Sequence, residues 1–141
     1  MITITIETLT SELIKELAPL IEANHRDAAK HERLCPDWDA LIMLPLVMWV
    51  MRDGGIPVGY CAHFIHQHVY FTGSKKANAM AIYVRHSHRG SVARFIDHIE
   101  QWLRADGVTT INYSVPHHSR AGSFFEAIGY ECTELIMTKT I

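Results

Sequence analysis

The densest group of chemically useful side chains lies where a predicted strand turns into a predicted helix, at residues 85–94 (Arg-His-Ser-His-Arg-Gly-Ser-Val-Ala-Arg). Free backbone N–H groups and the positive end of a helix dipole meet at such a junction. Gly90 lets an anion approach the backbone closely, and Arg85, Arg89 or Arg94 would add charge-assisted hydrogen bonds. The segment therefore predicts a phosphate-binding turn, although a basic turn without a ligand would have the same composition.

Histidine is the other chemically active residue in unusual number, with ten copies in 141 residues. Its ordinary pKa near 6.5 suits proton transfer at neutral pH. Along one predicted strand, alternation puts His63 on one face and His66 and His68 on the other. A His-x-His pair supplies only two metal ligands, and no carboxylate or cysteine at suitable spacing completes a zinc site. We therefore expect no metal, and we interpret His66 as either a solvated strand end or an acid–base group.

Composition and charge narrow the class of protein. With 48% hydrophobic and 20% charged residues, the chain has the composition of one packed domain over residues 1–141. Its formal charge of −2 gives no indication of nucleic-acid binding. The longest apolar run, residues 40–51, contains Pro45 and is shorter than the roughly 20 residues of a membrane span. Three cysteines without a disulfide or zinc pattern, and no signal-peptide pattern, favour the cytoplasm.

These groups must be positioned by alternating strands and helices. Apolar periodicity predicts strands at 1–7, 46–51, 56–64, 79–84, 108–115 and 130–138, and helices at 11–23, 38–43, 92–104 and 118–128. Gly54 and Gly55 predict a hairpin turn, Asp37 a helix N-cap and Gly129 a left-handed helix end. The order β-α-α-β-β-β-α-β-α-β favours a mixed sheet covered by helices, of the α/β or α+β class.

Two of these segments resemble motifs of the GNAT superfamily of N-acetyltransferases. The turn at Arg89 and Gly90 is similar to the family's acyl-CoA pyrophosphate loop, Gln/Arg-x-x-Gly-x-Gly/Ala. Residues 118–130 are similar to its late pattern, Asn-x-x-Ala-x-x-Leu-Tyr-Glu-x-x-Gly-Phe. The order of elements matches along essentially the whole chain. Residues 36–39 (Pro-Asp-Trp-Asp) and 58–60 (Val-Gly-Tyr) look closest to small members found in bacteriophages.

The resemblance implies a fold and an activity. The fold would be GNAT-like, with a mixed, mainly antiparallel central sheet of about six strands and about four helices. The activity would be direct transfer of acetyl from acetyl-CoA, as co-substrate, to a primary amine of a small molecule or protein. A non-catalytic GNAT-fold protein, acting as a CoA-binding or protein-interaction module, is the first alternative. A metal-binding module built on His63, His66 and His68 is the second.

The resemblance also implies where the cofactor is bound. A backbone N–H of Tyr83 or Val84, in the fourth strand, would polarise the thioester carbonyl. The pyrophosphate would be held mostly by main-chain N–H groups of the following turn. Besides those two residues, the cofactor-binding residues are predicted to be Arg89, Gly90, Ser91, Val92, Ala93, Arg94, His118 and Phe125.

Proton transfer has to use residues other than those common in the family. Phe125 stands where many members carry the tyrosine that protonates the leaving thiolate, and residues 78–81 offer no carboxylate as a general base. Histidine is the natural substitute for the base, and a hydroxyl at the end of the fifth strand for the acid. The predicted catalytic residues are His66, His118, Tyr113 and Ser114.

Acceptor recognition is implied for the irregular segments 24–39 and 71–76. The candidates for binding a cationic amine are Glu32, Asp37, Trp38 and Asp39, which would otherwise be ordinary solvated loop residues. Residues 135–137 (Leu-Ile-Met) fit either a strand of the chain's own sheet or one that pairs across a homodimer. No membrane or nucleic-acid partner is expected.

Overall fold

The computed structural model describes residues 1–28, 34–116 and 119–141. Within these ranges five strands form one open sheet in the order β1-β2-β3-β4-β5, where β4 and β5 are parallel and all other neighbours are antiparallel. The elements in chain order are β1 (Ile2–Ile6), α1 (Ser11–Ala28), α2 (Trp38–Met43), β2 (Leu46–Asp53), β3 (Ile56–Gln67), β4 (Lys75–Val84), a 3-10 helix (His86–Ser91), α3 (Val92–Ala105), β5 (Thr110–Asn112) and α4 (Ala121–Ala127). This is the mixed α/β class that the sequence predicts, with a mainly antiparallel sheet and four helices over the described residues.

Each face of the sheet is covered by one long helix. On one face α3 packs Phe95, Ile99 and Leu103 against a cluster that includes Trp49 and Cys61. On the other face α1 buries three leucines against residues of β2, β3 and β4; they are Leu13, Leu17 and Leu20. Strand side chains alternate between the two faces of the sheet, and apolar residues on one face of a helix recur every three or four residues. The apolar pattern therefore indicates which side chains of the strands, of α1 and of α3 are buried.

Local signals place several boundaries where the sequence predicts them. Gly54 and Gly55 both have positive φ, at 56° and 86°, as a tight turn between β2 and β3 requires. The Asp37 carboxylate accepts a hydrogen bond of 2.9 Å from the Ala40 N–H and caps α2. Gly129, with φ of 101°, follows the end of α4. The predicted hairpin, N-cap and helix end are therefore confirmed.

Other boundaries differ from the prediction. Helix α1 continues to Ala28, five residues past the expected end, and Pro19 lies inside it. Strand β5 is limited to Thr110–Asn112 instead of 108–115, because only these residues pair with β4. In the part of the chain that the structure describes, no helix is long and apolar enough to cross a membrane.

The predicted sixth strand, residues 130–138, is wrong. This segment has no regular structure, and the sheet has five strands over the described residues. Leu135, Ile136 and Met137 expose 80%, 78% and 91% of their surface. A strand forms only where a neighbouring strand takes up its backbone hydrogen bonds, so apolar, β-branched composition is not sufficient by itself.

Candidate functional site

Strands β4 and β5 are neighbours over three residue pairs only. Lys76, Ala77 and Asn78 of β4 are in register with the three residues of β5, and from there to Val84 no described strand pairs with β4 on that side. Met80 has no partner in the register with β3 either, which marks a β-bulge in β4 at this point. The result is a gap that opens between the two strands toward the carboxyl end of β4.

The backbone of β4 presents an N–H group to this gap. The Arg85 N–H donates to the Val58 carbonyl of β3 at 2.8 Å. Since alternate residues of a strand direct their N–H groups to opposite sides, Tyr83 also faces β3 and the Val84 N–H faces the gap. The Tyr83 ring is buried on the α1 side. Of the two groups predicted to polarise the thioester carbonyl, only Val84 is thus directed toward the gap.

The predicted anion-binding turn follows directly at the end of β4. It is the 3-10 helix, which leads without interruption into α3 at Val92. A Cβ added to Gly90 would meet no atom within 4 Å, so space above this backbone is open. The Val92 N–H already donates to the Arg89 carbonyl, so it is not available to a ligand. Ser91 is half-buried and Ala93 is exposed at the start of α3.

Two aspartates from distant parts of the chain hold the turn. Asp27, at the end of α1, lies 3.1 Å from His86 Nε2 and 3.3 Å from Arg89 Nη2 through the same carboxylate oxygen, Oδ2. Asp53, at the end of β2, lies 3.1 Å from His88 Nε2. Neither aspartate was singled out from the sequence, because nothing local connects Asp27 to a residue 62 positions away. Only the fold brings them to the turn.

Arg94 is placed differently from Arg89. Its side chain lines a groove of about 480 Å³ together with β1 and the exposed residues of α3. Because β1 and β5 are opposite edges of the sheet, this groove lies away from the gap. The structure therefore does not bring the Arg94 guanidinium to the gap, and only its backbone remains as a candidate for the cofactor.

A cluster of buried polar side chains lies on the α3 face of the sheet. His63 has no exposed surface, its Nδ1 lies 3.5 Å from the Cys61 thiol, and its ring contacts Trp49 and Tyr113 at centroid distances of 5.1 and 5.2 Å. Burial lowers the pKa of His63 to about 4 and raises the pKa values of Cys61 and Tyr113. Within the described residues, Trp49 Nε1, His63 Nε2 and the Tyr113 hydroxyl are buried without a hydrogen-bond partner. His63 is thus a neutral imidazole inside the core.

The predicted proton-transfer residues differ in their exposure to solvent and lie in different parts of the fold. Tyr113 stacks on Phe125 with ring centroids 4.6 Å apart, and its hydroxyl is enclosed, whereas Ser114 is exposed. His66 is exposed near the end of β3, opposite Lys76. His118 lies outside the described residues. The structure therefore joins Tyr113 to Phe125, the residue at the family's tyrosine position, and leaves His66 on the opposite face from His63.

Three of the predicted acceptor residues, Asp37, Trp38 and Asp39, lie at the start of α2. The Asp37 carboxylate is engaged as the N-cap, Trp38 is half-buried and Asp39 is exposed. Glu32 lies outside the described residues. Among the residues that are described, no group of three or more histidine, cysteine, aspartate or glutamate side chains is arranged to hold a metal ion. Of the three described candidates, Asp39 is an exposed carboxylate that does not serve as the cap of α2.

Comparison with known structures agrees with this architecture. A ribosomal-protein-alanine N-acetyltransferase from Brucella melitensis biovar Abortus 2308 superposes with a TM-score of 0.83 at 20% identity, over 100% of this chain and 98% of that one. An aminoglycoside acetyltransferase, meta-AAC0020 from an uncultured soil metagenomic sample, solved with sisomicin, gives 0.78 at 15% identity, over 99% and 95%. AAC(6')-Iy, solved with the bisubstrate analog CoA-S-monomethyl-acetylneamine, superposes with a TM-score of 0.71 at 18% identity, over 100% of this chain and 98% of that one. At these identities the likeness shows the shared fold.

The sequence itself carries the family assignment. No curated protein matches this chain. The model of the Acetyltransferase (GNAT) family, however, matches residues 11–130, from the start of α1 to the residue after Gly129. This range contains β4, the turn at Gly90 and α4, which together form the candidate site. The chain therefore belongs to the GNAT family of acetyltransferases.

Proposed function

We propose that this protein transfers an acetyl group from acetyl-CoA directly to a primary amine of a small molecule or a protein. Family membership supports acyl transfer as the general activity. The observation that carries the proposal is the gap beside β4, with the Val84 N–H directed into it and a basic, glycine-containing turn at its end. The N–H group would serve the thioester carbonyl of the cofactor, and the turn would serve its diphosphate.

The residues at the turn suit a nucleotide diphosphate. Gly90 leaves the backbone accessible, and about half of the Arg89 side chain is exposed, so its guanidinium can reach a phosphate after leaving Asp27. When bound, acetyl-CoA would supply an acetyl group already activated as a thioester. The Val92 N–H is committed to the Arg89 carbonyl, so the side chain of Arg89 and the remaining backbone of the turn carry the interaction.

The reaction then needs three functions from the chain. The Val84 N–H would stabilise the negative charge on the carbonyl oxygen when the amine nitrogen bonds to carbon; re-formation of the carbonyl would then break the carbon–sulfur bond and release the thiolate. The amine must also lose a proton. His66 lies opposite Lys76, eight residues along β4 from Val84 or roughly 25 Å at about 3.3 Å per residue, so it is too far from the Val84 N–H to accept that proton directly. The thiolate must gain one, and Ser114 is the accessible hydroxyl, since that of Tyr113 is enclosed.

The acceptor is proposed to be a cationic amine that approaches from the side of α1 and α2. Asp39 is exposed at the first turn of α2, where it can pair with a second charge on the acceptor. Two similar structures are named for amine acceptors of different size: one is a ribosomal-protein-alanine N-acetyltransferase and the other was solved with sisomicin. These names support both a protein and a small-molecule acceptor as starting points for assays.

Calorimetry and thiol release test the proposal in sequence. Acetyl-CoA, CoA and acetyl-pantetheine are titrated into the protein, and we expect micromolar binding that is lost with acetyl-pantetheine, which lacks the diphosphate. Thiol release is then followed with aminoglycosides, polyamines and peptides with free N-termini. Turnover with one acceptor class supports the proposal. Absence of binding by acetyl-CoA would contradict it.

A non-catalytic CoA-binding or interaction module is the alternative function. It is favoured by one observation, the absence of an accessible tyrosine hydroxyl at the leaving-group position: Phe125 has none and that of Tyr113 is enclosed. Binding of acetyl-CoA without turnover across the amine panel would favour this alternative. Thiol release that depends on an amine would exclude it.

A further inference from the structure

A histidine–aspartate pair lies close to the Val84 N–H, where the amine would have to lose its proton. His86 is the second residue after Val84, so their α-carbons are at most about 7 Å apart. Nε2 of His86 lies 3.1 Å from Oδ2 of Asp27, at the end of α1. The His86 side chain is 67% exposed. His86 is therefore an accessible imidazole just beyond the end of β4, where the gap opens.

The contact with Asp27 holds the His86 ring on the side of the sheet that α1 covers. Leucines of α1 pack on this face against Tyr60 and Tyr83, which are neighbours across β3 and β4. The proposed acceptor approaches from the same side. A primary amine that enters beside the end of α1 would therefore meet the His86 ring close to the carbonyl held by the Val84 N–H.

The two nitrogens of the His86 ring have different surroundings. Nε2 faces the Asp27 carboxylate, whereas Nδ1 has no hydrogen-bond partner among the described residues. An ionised carboxylate only accepts hydrogen bonds, so Nε2 must carry the ring proton to bond with it. The lone pair is then on Nδ1. A carboxylate that fixes the tautomer in this way leaves the other nitrogen ready to take a proton.

Arg89 opposes this tautomer in the arrangement that the structure shows. Its Nη2 lies 3.3 Å from Nε2 of His86 and 3.3 Å from the same Asp27 oxygen. A guanidinium only donates, so Arg89 favours a lone pair on Nε2 and the ring proton on Nδ1. If Arg89 leaves to bind a diphosphate, Asp27 keeps His86 as its partner and the Nε2–H tautomer is favoured. Cofactor binding would thus prepare Nδ1 to accept a proton.

The other histidine of the turn does not offer a free nitrogen. His88 Nδ1 lies 2.9 Å from the Ser87 hydroxyl, and its Nε2 lies 3.1 Å from Asp53. Its side chain is 22% exposed, compared with 67% for His86. Of these two histidines, His86 is the one that an amine can reach at an unpaired nitrogen.

We propose that His86 is the general base of the acetyl transfer and that Asp27 positions it, an inference that rests on the proposed function. As the amine nitrogen bonds to the thioester carbon, its proton passes to Nδ1, directly or through one water, and the electrons of the N–H bond stay on nitrogen. Re-formation of the carbonyl breaks the carbon–sulfur bond and releases the thiolate. The exposed imidazolium gives its proton to solvent, while the proton on Nε2 stays hydrogen-bonded to Asp27.

Binding and turnover of the His86→Gln variant test the assignment together. Acetyl-CoA should bind within about twofold of wild type, while kcat for amine-dependent thiol release should fall by about 100-fold or more, as loss of a general base requires. His98→Gln, at an exposed histidine of α3, is the matched control and should keep both values. Wild-type turnover by His86→Gln would overturn the proposal. Weaker acetyl-CoA binding at unchanged kcat would also overturn it, because His86 would then be a ligand of the diphosphate.

The pH profile and chemical rescue separate a base from a residue that only supports the turn. The wild-type value of kcat/KM should decrease toward acid as the base takes up a proton, and the residual activity of His86→Gln should lack this limb. Added imidazole should restore part of the turnover of His86→Ala and leave that of wild type unchanged. An acidic limb that persists in His86→Gln would overturn the proposal.

Asp27→Asn tests the positioning role. It should lower kcat by about tenfold without weakening acetyl-CoA binding, because the amide no longer fixes the ring proton on Nε2. An unchanged kcat in this variant would remove Asp27 from the mechanism. Failure of the proposed function itself has a different signature, since wild-type protein would then show no amine-dependent thiol release, and the assignment of His86 would fall with it.

Discussion

The Asp27 carboxylate lies 3.3 Å from the guanidinium of Arg89, and this contact joins the end of α1 to the turn that we propose binds the cofactor. The same oxygen is 3.1 Å from His86 Nε2, so one carboxylate faces two basic residues of the turn. A phosphate would carry the same sign of charge as Asp27 and would need the same guanidinium. Asp27 therefore competes with the proposed ligand for the guanidinium of Arg89. Asp27 lies at the end of α1, on the side from which the acceptor is proposed to approach.

Replacement of Asp27 by asparagine should strengthen the binding of acetyl-CoA by about threefold, because the variant removes a competing negative charge from a half-exposed ion pair. Calorimetry in low salt measures the effect, which should shrink in 0.5 M NaCl as the charges are screened. Glu22→Gln, an exposed carboxylate on the same helix, serves as the control and should leave the affinity unchanged. Weaker binding by the Asp27 variant would show that Asp27 orients Arg89 instead of competing for it.

Gly90→Glu should reduce acetyl-CoA affinity by about tenfold or more and leave the fold intact. The new side chain would enter open space, so it strains nothing in the protein, but it brings a negative charge to the proposed diphosphate position. Gly90→Ala, which adds only the Cβ, is the matched control and should bind within about twofold of wild type. Equal affinity of the two variants would remove the turn from the site, and an unchanged thermal unfolding temperature would confirm that folding is not the cause.

Acid should destabilise the protein through His63. The folded protein lowers the pKa of this imidazole to about 4, whereas the unfolded chain takes up a proton near 6.5. Stability is therefore complete above about pH 6.5 and decreases as the pH falls toward 4, by about 3 kcal/mol over the whole window. Urea unfolding at pH 7.5 and pH 4.5 measures the difference.

The matched variants are His63→Phe and His98→Gln, the latter at an exposed histidine of α3. The first should reduce the loss of stability between the two pH values, and the second should retain it. If His63→Phe unfolds with the same pH dependence as wild type, the acid sensitivity comes from other groups.

The ion pair between Glu7 and Arg52 predicts a further loss of folding stability at lower pH. Arg52 donates to both Glu7 oxygens, from Nε at 2.9 Å and Nη2 at 2.8 Å, and these hydrogen bonds lower the pKa of Glu7 below its ordinary 4.5. The stability that Glu7 contributes is present above pH 4.5 and is lost as the pH falls through its lowered pKa. Glu7→Gln should cost about 1–2 kcal/mol at pH 7, since it removes a half-buried bidentate pair.

A double-mutant cycle with Arg52→Met isolates this interaction. The two single substitutions should be strongly non-additive at pH 7, because each removes the same contact. Additive effects in urea unfolding would mean that Glu7 and Arg52 contribute independently, despite their geometry. In the Glu7→Gln variant, Glu16 still accepts a hydrogen bond from Arg52, so the arginine keeps one carboxylate partner.

Features that depend on neighbours in the chain could be predicted from the sequence. The glycine turn between β2 and β3, the Asp37 cap and the turn at Gly90 each need only a few consecutive residues with the right backbone preferences and side-chain hydrogen bonds. The order of strands and helices follows from apolar periodicity for the same reason. These local signals were sufficient for the fold class and for the position of the turn in the chain.

Features that depend on what lies opposite a residue were decided by the tertiary structure. Asp27 reaches Arg89 only because α1 packs across the sheet, the Tyr113 hydroxyl is enclosed because its ring stacks on Phe125, and Arg94 turns toward β1 because of its place on α3. The apolar pattern of residues 130–138 is that of a strand, but a strand also needs a neighbour that takes up its backbone hydrogen bonds, and the described residues pair no strand with this segment. A sequence encodes the preference of each segment, whereas its partners are selected by the packing of the whole chain.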